Sequence, residues 1–136
     1  MPSLIFSAEQ MTRPLLANGP RLEADLLRHL LECRPDVFEQ YPLPYLHWVV
    51  RDTLEIARPF GLDDVFALRT FLRLRYEIAP GFWREPAIAA VLGNRRLSPM
   101  ARWERLATSE FGNAWLRAGE HQGAGEWRER FWGEPA

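Results

Sequence analysis

The stretch ARPFGLDDVFALRTFLRLR, residues 57–75, decides the fold of this chain. An apolar helix runs into a turn at Gly61, and a second helix that carries three arginines follows. The DNA-reading helix-turn-helix has the same order, and its second helix has one buried stripe and a broad exposed face for bases and phosphates. The distribution of apolar residues around the second helix therefore separates a nucleic-acid binder from a helix at the centre of a bundle.

The segment 64–78, placed on a helical wheel at 100° per residue, has apolar side chains on two nearly opposite sides. One cluster contains Val65, Leu68, Leu72 and Tyr76, and the other contains Ala67, Phe71, Leu74 and Ile78. A helix that is apolar on two sides packs between neighbours, and Arg75, which lies between the clusters, must reach solvent or pair with a buried carboxylate. Asp63 and Asp64 would repel phosphate, and Pro59 breaks the tight motif. We therefore expect a buried helix and no nucleic-acid partner.

The rest of the chain has helical periodicity and helix-end signals, and no segment alternates long enough for a strand. The predicted helices lie over about 8–17, 21–33, 45–58, 63–78, 86–93 and 98–108, with a short turn of helix among the prolines of RPDVFEQYPLPY. The fold class is therefore all-α. We expect a single compact bundle of about six or seven short helices with an aromatic C-terminal tail.

The last 28 residues differ in composition from the rest, because glycines alternate with large aromatic side chains. We assign residues 1–108 to a helical domain and residues 109–136 to an aromatic C-terminal extension. The sequence HQGAG within the extension is typical of a linker. A short helix after it places Trp127 and Phe131, four residues apart, on one side.

The charge of the chain is nearly balanced, with 18 acidic residues, 17 basic residues, all of them arginine, and a net charge of -1. Such a chain has no general attraction for phosphate backbones or anionic membranes. The N-terminus lacks the basic start of a signal peptide, and no apolar run approaches the roughly 18 residues that span a bilayer. We expect a cytoplasmic protein that does not insert into membranes.

No group of residues has the pattern of a catalytic, metal or cofactor site. Cys33 is the single cysteine, and we place it on the apolar face of its helix, where cysteine acts as a small hydrophobe. His29 precedes it by four residues, and we interpret it as part of a surface pair with Asp25. Serine elbows and phosphate-binding glycine loops are absent from the sequence. The prediction is a non-enzymatic protein with no catalytic residues, no metal and no cofactor.

Exposed aromatic residues point instead to protein binding, because aromatics and arginine dominate the energetics of protein interfaces. Trp48 lies on the polar arc of its helix and Trp83 lies in a loop. The predicted partner-binding residues are Trp48, Trp83, Trp115, Trp127, Arg128, Phe131 and Trp132. An alternative remains open, in which the tail folds back over Trp48 and both become part of the core.

Three stretches resemble a known family: FSAEQM (6–11), ARPFGLDDVFALRTFLRL (57–74) and APGFWREPAIAAVLGNRRLSPMARWERL (79–106). They contain a Gln-Met pair, an aromatic-Gly turn followed by an acidic cap, and a short helix followed by an arginine-rich one. Together they resemble the small helical accessory proteins of type VI secretion effector clusters, over roughly residues 4–107. The aromatic tail is a departure from that shorter pattern.

The resemblance implies an adaptor or co-chaperone that helps load an effector onto the secretion spike. The partner is then an effector, its dedicated chaperone or a spike component. The family has no catalytic residues to carry over. The alternative is an immunity protein that blocks a toxin, but such proteins often present a strong acidic patch, which this near-neutral chain lacks.

Overall fold

The computed structural model describes residues 19–122, and within that range every regular element is helical. The α-helices are α1 (Gly19–Cys33), α2 (Pro35–Gln40), α3 (Leu43–Ala57), α4 (Val65–Glu77), α5 (Pro86–Leu92), α6 (Pro99–Leu106) and α7 (Gly112–Ala118). Single 3-10 turns lie at Arg58–Phe60, Phe82–Arg84, Ser109–Phe111 and Gly119–Gln122. The predicted all-α fold and the predicted number of helices are confirmed. The predicted helix over about 8–17 lies outside the described residues.

Side-chain caps explain where several helices begin. The carboxylate of Asp64 accepts hydrogen bonds from the backbone N–H groups of Phe66 and Ala67, at 2.7 and 3.1 Å, and so starts α4 at Val65, two residues after the predicted start at about 63. Glu85 caps α5 and Ser98 caps α6 in the same way, each followed at once by a proline. A proline in the first turn loses no hydrogen bond there, so these starts agree with the sequence signals.

Helix α4 lies at the centre of the fold, packed against α1, α3 and α6. Both of its apolar sides are buried, because Leu68 and Leu72 on one side and Ala67 and Phe71 on the other are almost fully covered. The prediction of a helix held between neighbours is therefore confirmed. The helix is not free to enter a DNA groove as it stands, although the absence of nucleic-acid binding stays a prediction.

Two buried ion pairs fix α4 to its neighbours. Arg75 pairs with Asp52 of α3, with 3.0 Å between Nη1 and Oδ2, which confirms the predicted buried carboxylate partner. Asp25 of α1 was predicted to lie on the solvent side beside His29, and that placement is wrong. It is buried, and its carboxylate accepts from both Nε and Nη2 of Arg69. Arg69 lies on the side of α4 that faces α1, so its partner Asp25 lies inside the bundle.

The first part of the predicted C-terminal extension belongs to the core. Phe111, Ala114 and Ala118 are buried, and α7 packs against α5 and the turn at Phe82–Arg84. Phe82, which we expected in a loop, is fully buried in that turn. Residues 123–136 lie outside the described part. No helix between residues 19 and 122 has the length and apolarity to cross a membrane.

Candidate protein-binding surface

Three aromatic rings lie along one face at the start of α3, and we call Tyr41, Tyr45 and Trp48 the aromatic ladder. Tyr45 and Trp48, three residues apart in α3, lie on the same side of the helix, and Tyr41 precedes the helix and stacks on Tyr45. Ring centroids are 5.2 Å apart between Tyr41 and Tyr45, which stack, and 6.0 Å apart between Tyr45 and Trp48. Tyr41 is 42% exposed and the neighbouring Leu43 44%, whereas Tyr45 and Trp48 are half-buried. The ladder thus leads from solvent towards the core.

An open groove of about 370 Å³ lies beside the ladder, and we call it the α2–α4 groove. Its walls include Arg34, Asp36, Gln40 and Tyr41 on the α2 side, and Tyr76, Glu77 and Pro80 at the end of α4. Asp36 forms a two-bond pair with Arg34 at 2.9 and 3.0 Å, so the rim is charged but balanced. The groove therefore offers aromatic rings at its side and hydrogen-bonding groups at its rim.

The tyrosines of this region stay protonated near neutral pH. Burial, reinforced by the neighbouring Tyr41, raises the pKa of Tyr45 to about 12. Burial also raises the pKa of Tyr76 above its ordinary value, with Tyr45 adding to the effect. Their hydroxyl groups therefore remain neutral, able both to donate and to accept a hydrogen bond.

Arg75 connects the ladder's helix to Trp83. Its guanidinium is buried and donates from Nη1 to Asp52 and to Thr53 Oγ1 of α3, the latter at 2.9 Å. Its Nε donates to the carbonyl oxygen of Pro80 at 2.9 Å, and the indole N–H of Trp83 donates to the same oxygen at 3.2 Å. Asp52 lies one turn after Trp48 on α3. A chain of hydrogen bonds thus links Trp83, through the Pro80 carbonyl and the buried Arg75, to Asp52 and Thr53 of α3.

Trp83 has the environment of a surface contact residue. It is half-buried, and the guanidinium of Arg84 lies over its ring at 4.9 Å. A guanidinium held over tryptophan is a favourable cation–π arrangement, and both residue types are enriched among the residues that dominate binding energy. Trp48 and Trp83, two of the predicted binding residues, are thus both partly exposed.

Trp115 has a different environment from the other two. Its indole N–H donates to the carbonyl oxygen of Leu106 at 2.7 Å, and its ring stacks on the buried Phe82 with centroids 5.9 Å apart. These contacts join α7 to α6 and to the turn at Phe82–Arg84, so they hold the bundle together. The other four predicted binding residues lie outside the described residues: Trp127, Arg128, Phe131 and Trp132.

The predicted position of Cys33 in the core is wrong, because the side chain is exposed. Cys33 is the last residue of α1, and the wheel extends the apolar face to a helix end that the bundle leaves in solvent. Its sulfur lies 3.6 Å from Nε2 of His29. Partial burial, and then the charges of Arg69 and Arg73, lower the pKa of His29. Within residues 19–122 no group of three His, Cys, Asp or Glu side chains is placed to hold a metal ion.

Sequence reasoning missed Tyr41 and Leu43, the most exposed apolar residues of this surface. They lie in a proline-rich stretch that we interpreted only as an interruption between helices. The signal was present, because Tyr41, Tyr45 and Trp48 have helical spacing across that interruption.

Comparisons of the chain with protein-family models, with curated proteins and with solved structures gave no match.

Proposed function

We propose that this chain is a non-enzymatic, cytoplasmic protein-binding factor, an adaptor or co-chaperone that helps load a type VI secretion effector, or its chaperone, onto the spike. The observation that supports the binding role is the aromatic ladder beside the α2–α4 groove, together with Trp83, which Arg75 links to the helix of the ladder. The secretion context comes from the resemblance of residues 6–11, 57–74 and 79–106 to that family.

The geometry of the surface suits a protein partner. Interfaces place aromatic anchors at their centre and polar groups at the rim. Here the half-buried Tyr45 and Trp48 supply anchors, and the pair of Arg34 and Asp36 supplies a polar rim. An open groove of this size accommodates one or two side chains of a docked helix or extended segment, as in recognition of a helix laid in a groove.

The chemistry of the groove supports a binding role over catalysis. The described lining contains no histidine, cysteine or serine, so a nucleophile paired with a base has no candidate there. Its carboxylates also have cationic neighbours, since Asp36 pairs with Arg34, and Glu77 lies 3.4 Å from Nε of Arg73.

The test is an affinity pull-down of the tagged full-length chain from its native host, followed by mass spectrometry. We expect a type VI effector, effector chaperone or spike protein to be captured. A double variant, Tyr41→Ala with Leu43→Ser, removes the exposed end of the surface without opening the core. The matched control is Met100→Ala with Leu116→Ser, which removes two exposed apolar side chains on α6 and α7.

Capture should fall at least tenfold in the Tyr41/Leu43 variant and stay unchanged in the Met100/Leu116 control. Equal capture by both variants contradicts the assignment of the surface. Co-expression with the captured effector separates the alternative function, because an adaptor binds without protecting cells, whereas an immunity protein must rescue them from the toxin.

A further inference from the structure

The described part of the chain ends beside Trp83. The 3-10 turn at Gly119–Gln122 packs against the turn at Phe82–Arg84, which carries Trp83. The buried Ala118 anchors the helix that leads into it. The fourteen residues 123–136 that follow therefore start next to Trp83.

These residues have enough length to cover the surface. Fourteen residues span up to about 46 Å when extended and about 21 Å as a helix. A small domain is about 30 Å in diameter, so an extended segment that starts at Trp83 is long enough to reach the ladder.

The chemistry of the segment matches the surface. Its sequence EWRERFWGEPA supplies Trp127, Phe131 and Trp132 for contact with aromatic rings. It also carries charges of both signs, the arginines Arg128 and Arg130 and the glutamates Glu126, Glu129 and Glu134. The groove rim carries both signs as well, since the substantially exposed Asp36 and Glu77 lie beside Arg34 and Arg73. The segment and the rim can therefore form ion pairs in either sense, and the aromatic rings supply the main attraction.

We propose that residues 123–136 dock in cis across Trp83 and the aromatic ladder, and that a partner binds by displacing them. This inference rests on the binding surface of the proposed function and adds regulation to it. The segment acts as an internal competitor, because the apparent affinity for a partner is lowered by the fraction of molecules in which the surface is covered. The aromatic tail thereby sets a threshold for partner binding.

The test measures proximity in the full-length chain and needs no partner. In a Cys33→Ser background, which removes the exposed native thiol, Glu39→Cys is combined with Glu134→Cys. Glu39 is exposed and lies two residues before Tyr41. The control pair is Glu104→Cys with Glu134→Cys, because Glu104 is exposed on α6 and does not belong to the proposed surface. The measured quantity is the rate of intramolecular disulfide formation under mild oxidation.

We expect the pair at positions 39 and 134 to react about tenfold faster than the pair at 104 and 134, since docking raises the effective concentration above that of a free tether. Replacement of Trp127, Phe131 and Trp132 by alanine keeps the tether length and should abolish the difference. Equal rates with and without these aromatics overturn the proposal, as do products that link two chains.

A third outcome also overturns it. If the triple alanine variant loses helicity or the bundle unfolds at a much lower temperature, the segment belongs to the core and is not a displaceable cover. Failure of this test leaves the pull-down result of the proposed function standing. A pull-down that captures no secretion protein leaves the cross-linking result equally intact.

Discussion

Arg102 of α6 donates from Nη1 to the carbonyl oxygen of Phe60, 2.8 Å away and 42 residues earlier in the chain. The same nitrogen donates to Leu92, and Nε donates to Asn94 and Leu97, so one buried guanidinium satisfies four backbone carbonyls. Leu92 is the last residue of α5, where a positive charge is favoured by the helix dipole. Arg102 therefore joins α6 to the ends of two other elements without an acidic partner among these contacts.

Replacement of Arg102 by methionine should destabilise the fold by about 3 kcal/mol, because several buried carbonyls lose their donor. Replacement by lysine should recover only a small part of this loss, since one ammonium cannot match the planar fork of the guanidinium. Urea unfolding of the purified variants gives both values. A lysine variant as stable as the wild type would show that charge, and not geometry, is the contribution of Arg102.

The pair of Arg75 and Asp52 should be costly to break from one side. Asp52→Ala leaves a buried guanidinium without its carboxylate, and we expect a loss of about 3–5 kcal/mol. The double variant Asp52→Leu with Arg75→Met removes both charges and should be markedly more stable than Asp52→Ala alone. Denaturant midpoints of the variants measure these losses of stability. If the losses from the two substitutions simply add in the double variant, the two residues are not a coupled buried pair.

Gly61 adopts a left-handed conformation with φ of 73°, and the guanidinium of Arg95 lies over it. A Cβ added there would lie 2.8 Å from Nη1 of Arg95. We expect Gly61→Ala to destabilise the protein by about 1–2 kcal/mol through backbone strain. In a Gly61→Ala, Arg95→Ala double variant, the destabilisation caused by the clash with Arg95 should disappear. The destabilisation caused by the left-handed backbone at residue 61 should remain. Thermal melts of the single and double variants check this, and full recovery in the double variant would exclude backbone strain.

Glu85 should give part of the stability a dependence on acid pH. Burial alone raises the pKa of this carboxyl, but the hydrogen bond from the backbone N–H of Ile88 and the guanidinium of Arg117 outweigh it and lower the pKa. A lowered pKa in the folded state means that the contribution is present at neutral pH and is lost as the pH falls through about 4 and below. Glu85→Gln should unfold with a weaker pH dependence between about pH 5 and 3. Parallel slopes for the two proteins would refute the assignment.

Trp115 and Tyr41 should behave oppositely when replaced. Trp115→Phe removes the donor to the Leu106 carbonyl and should cost about 1 kcal/mol of stability. Tyr41→Ala removes an exposed ring, so we expect a change in stability within about 0.5 kcal/mol and an effect only on partner capture. Melting curves and pull-downs of both variants separate the two roles. A large loss of stability in Tyr41→Ala would place the ladder in the core.

The centre of the fold followed from the sequence because a helix buried on two sides has an apolar pattern that no exposed helix needs. The starts of α5 and α6 followed from Pro86 and from Ser98-Pro99, since the signals for the start of a helix are local, whereas the cap Glu85 was found only in the structure. The burial of Asp25 did not follow, because it depends on Arg69, which is 44 residues away in the chain. The exposure of Cys33 did not follow either, because a helical wheel gives the direction of a side chain but not where the covering neighbour ends.

The binding surface was only partly visible for the same reason. Trp48 and Trp83 were identified as surface aromatics, but the link from Trp83 through Arg75 to α3 depends on residues far apart in the sequence. Helix α7 was missed because its sequence GNAWLRA begins with glycine and asparagine, which are weak helix formers, and its stability comes from packing of Ala114 and Ala118.

The carbonyl oxygen of Pro80 accepts from the guanidinium of Arg75 and from the indole of Trp83 at once, which uses both of its lone pairs. The position of the indole ring is thereby tied to Arg75 and, through Asp52 and Thr53, to α3. We expect a partner that contacts Trp83 to meet a side chain already held in one orientation, so that little conformational entropy is lost at this residue on binding.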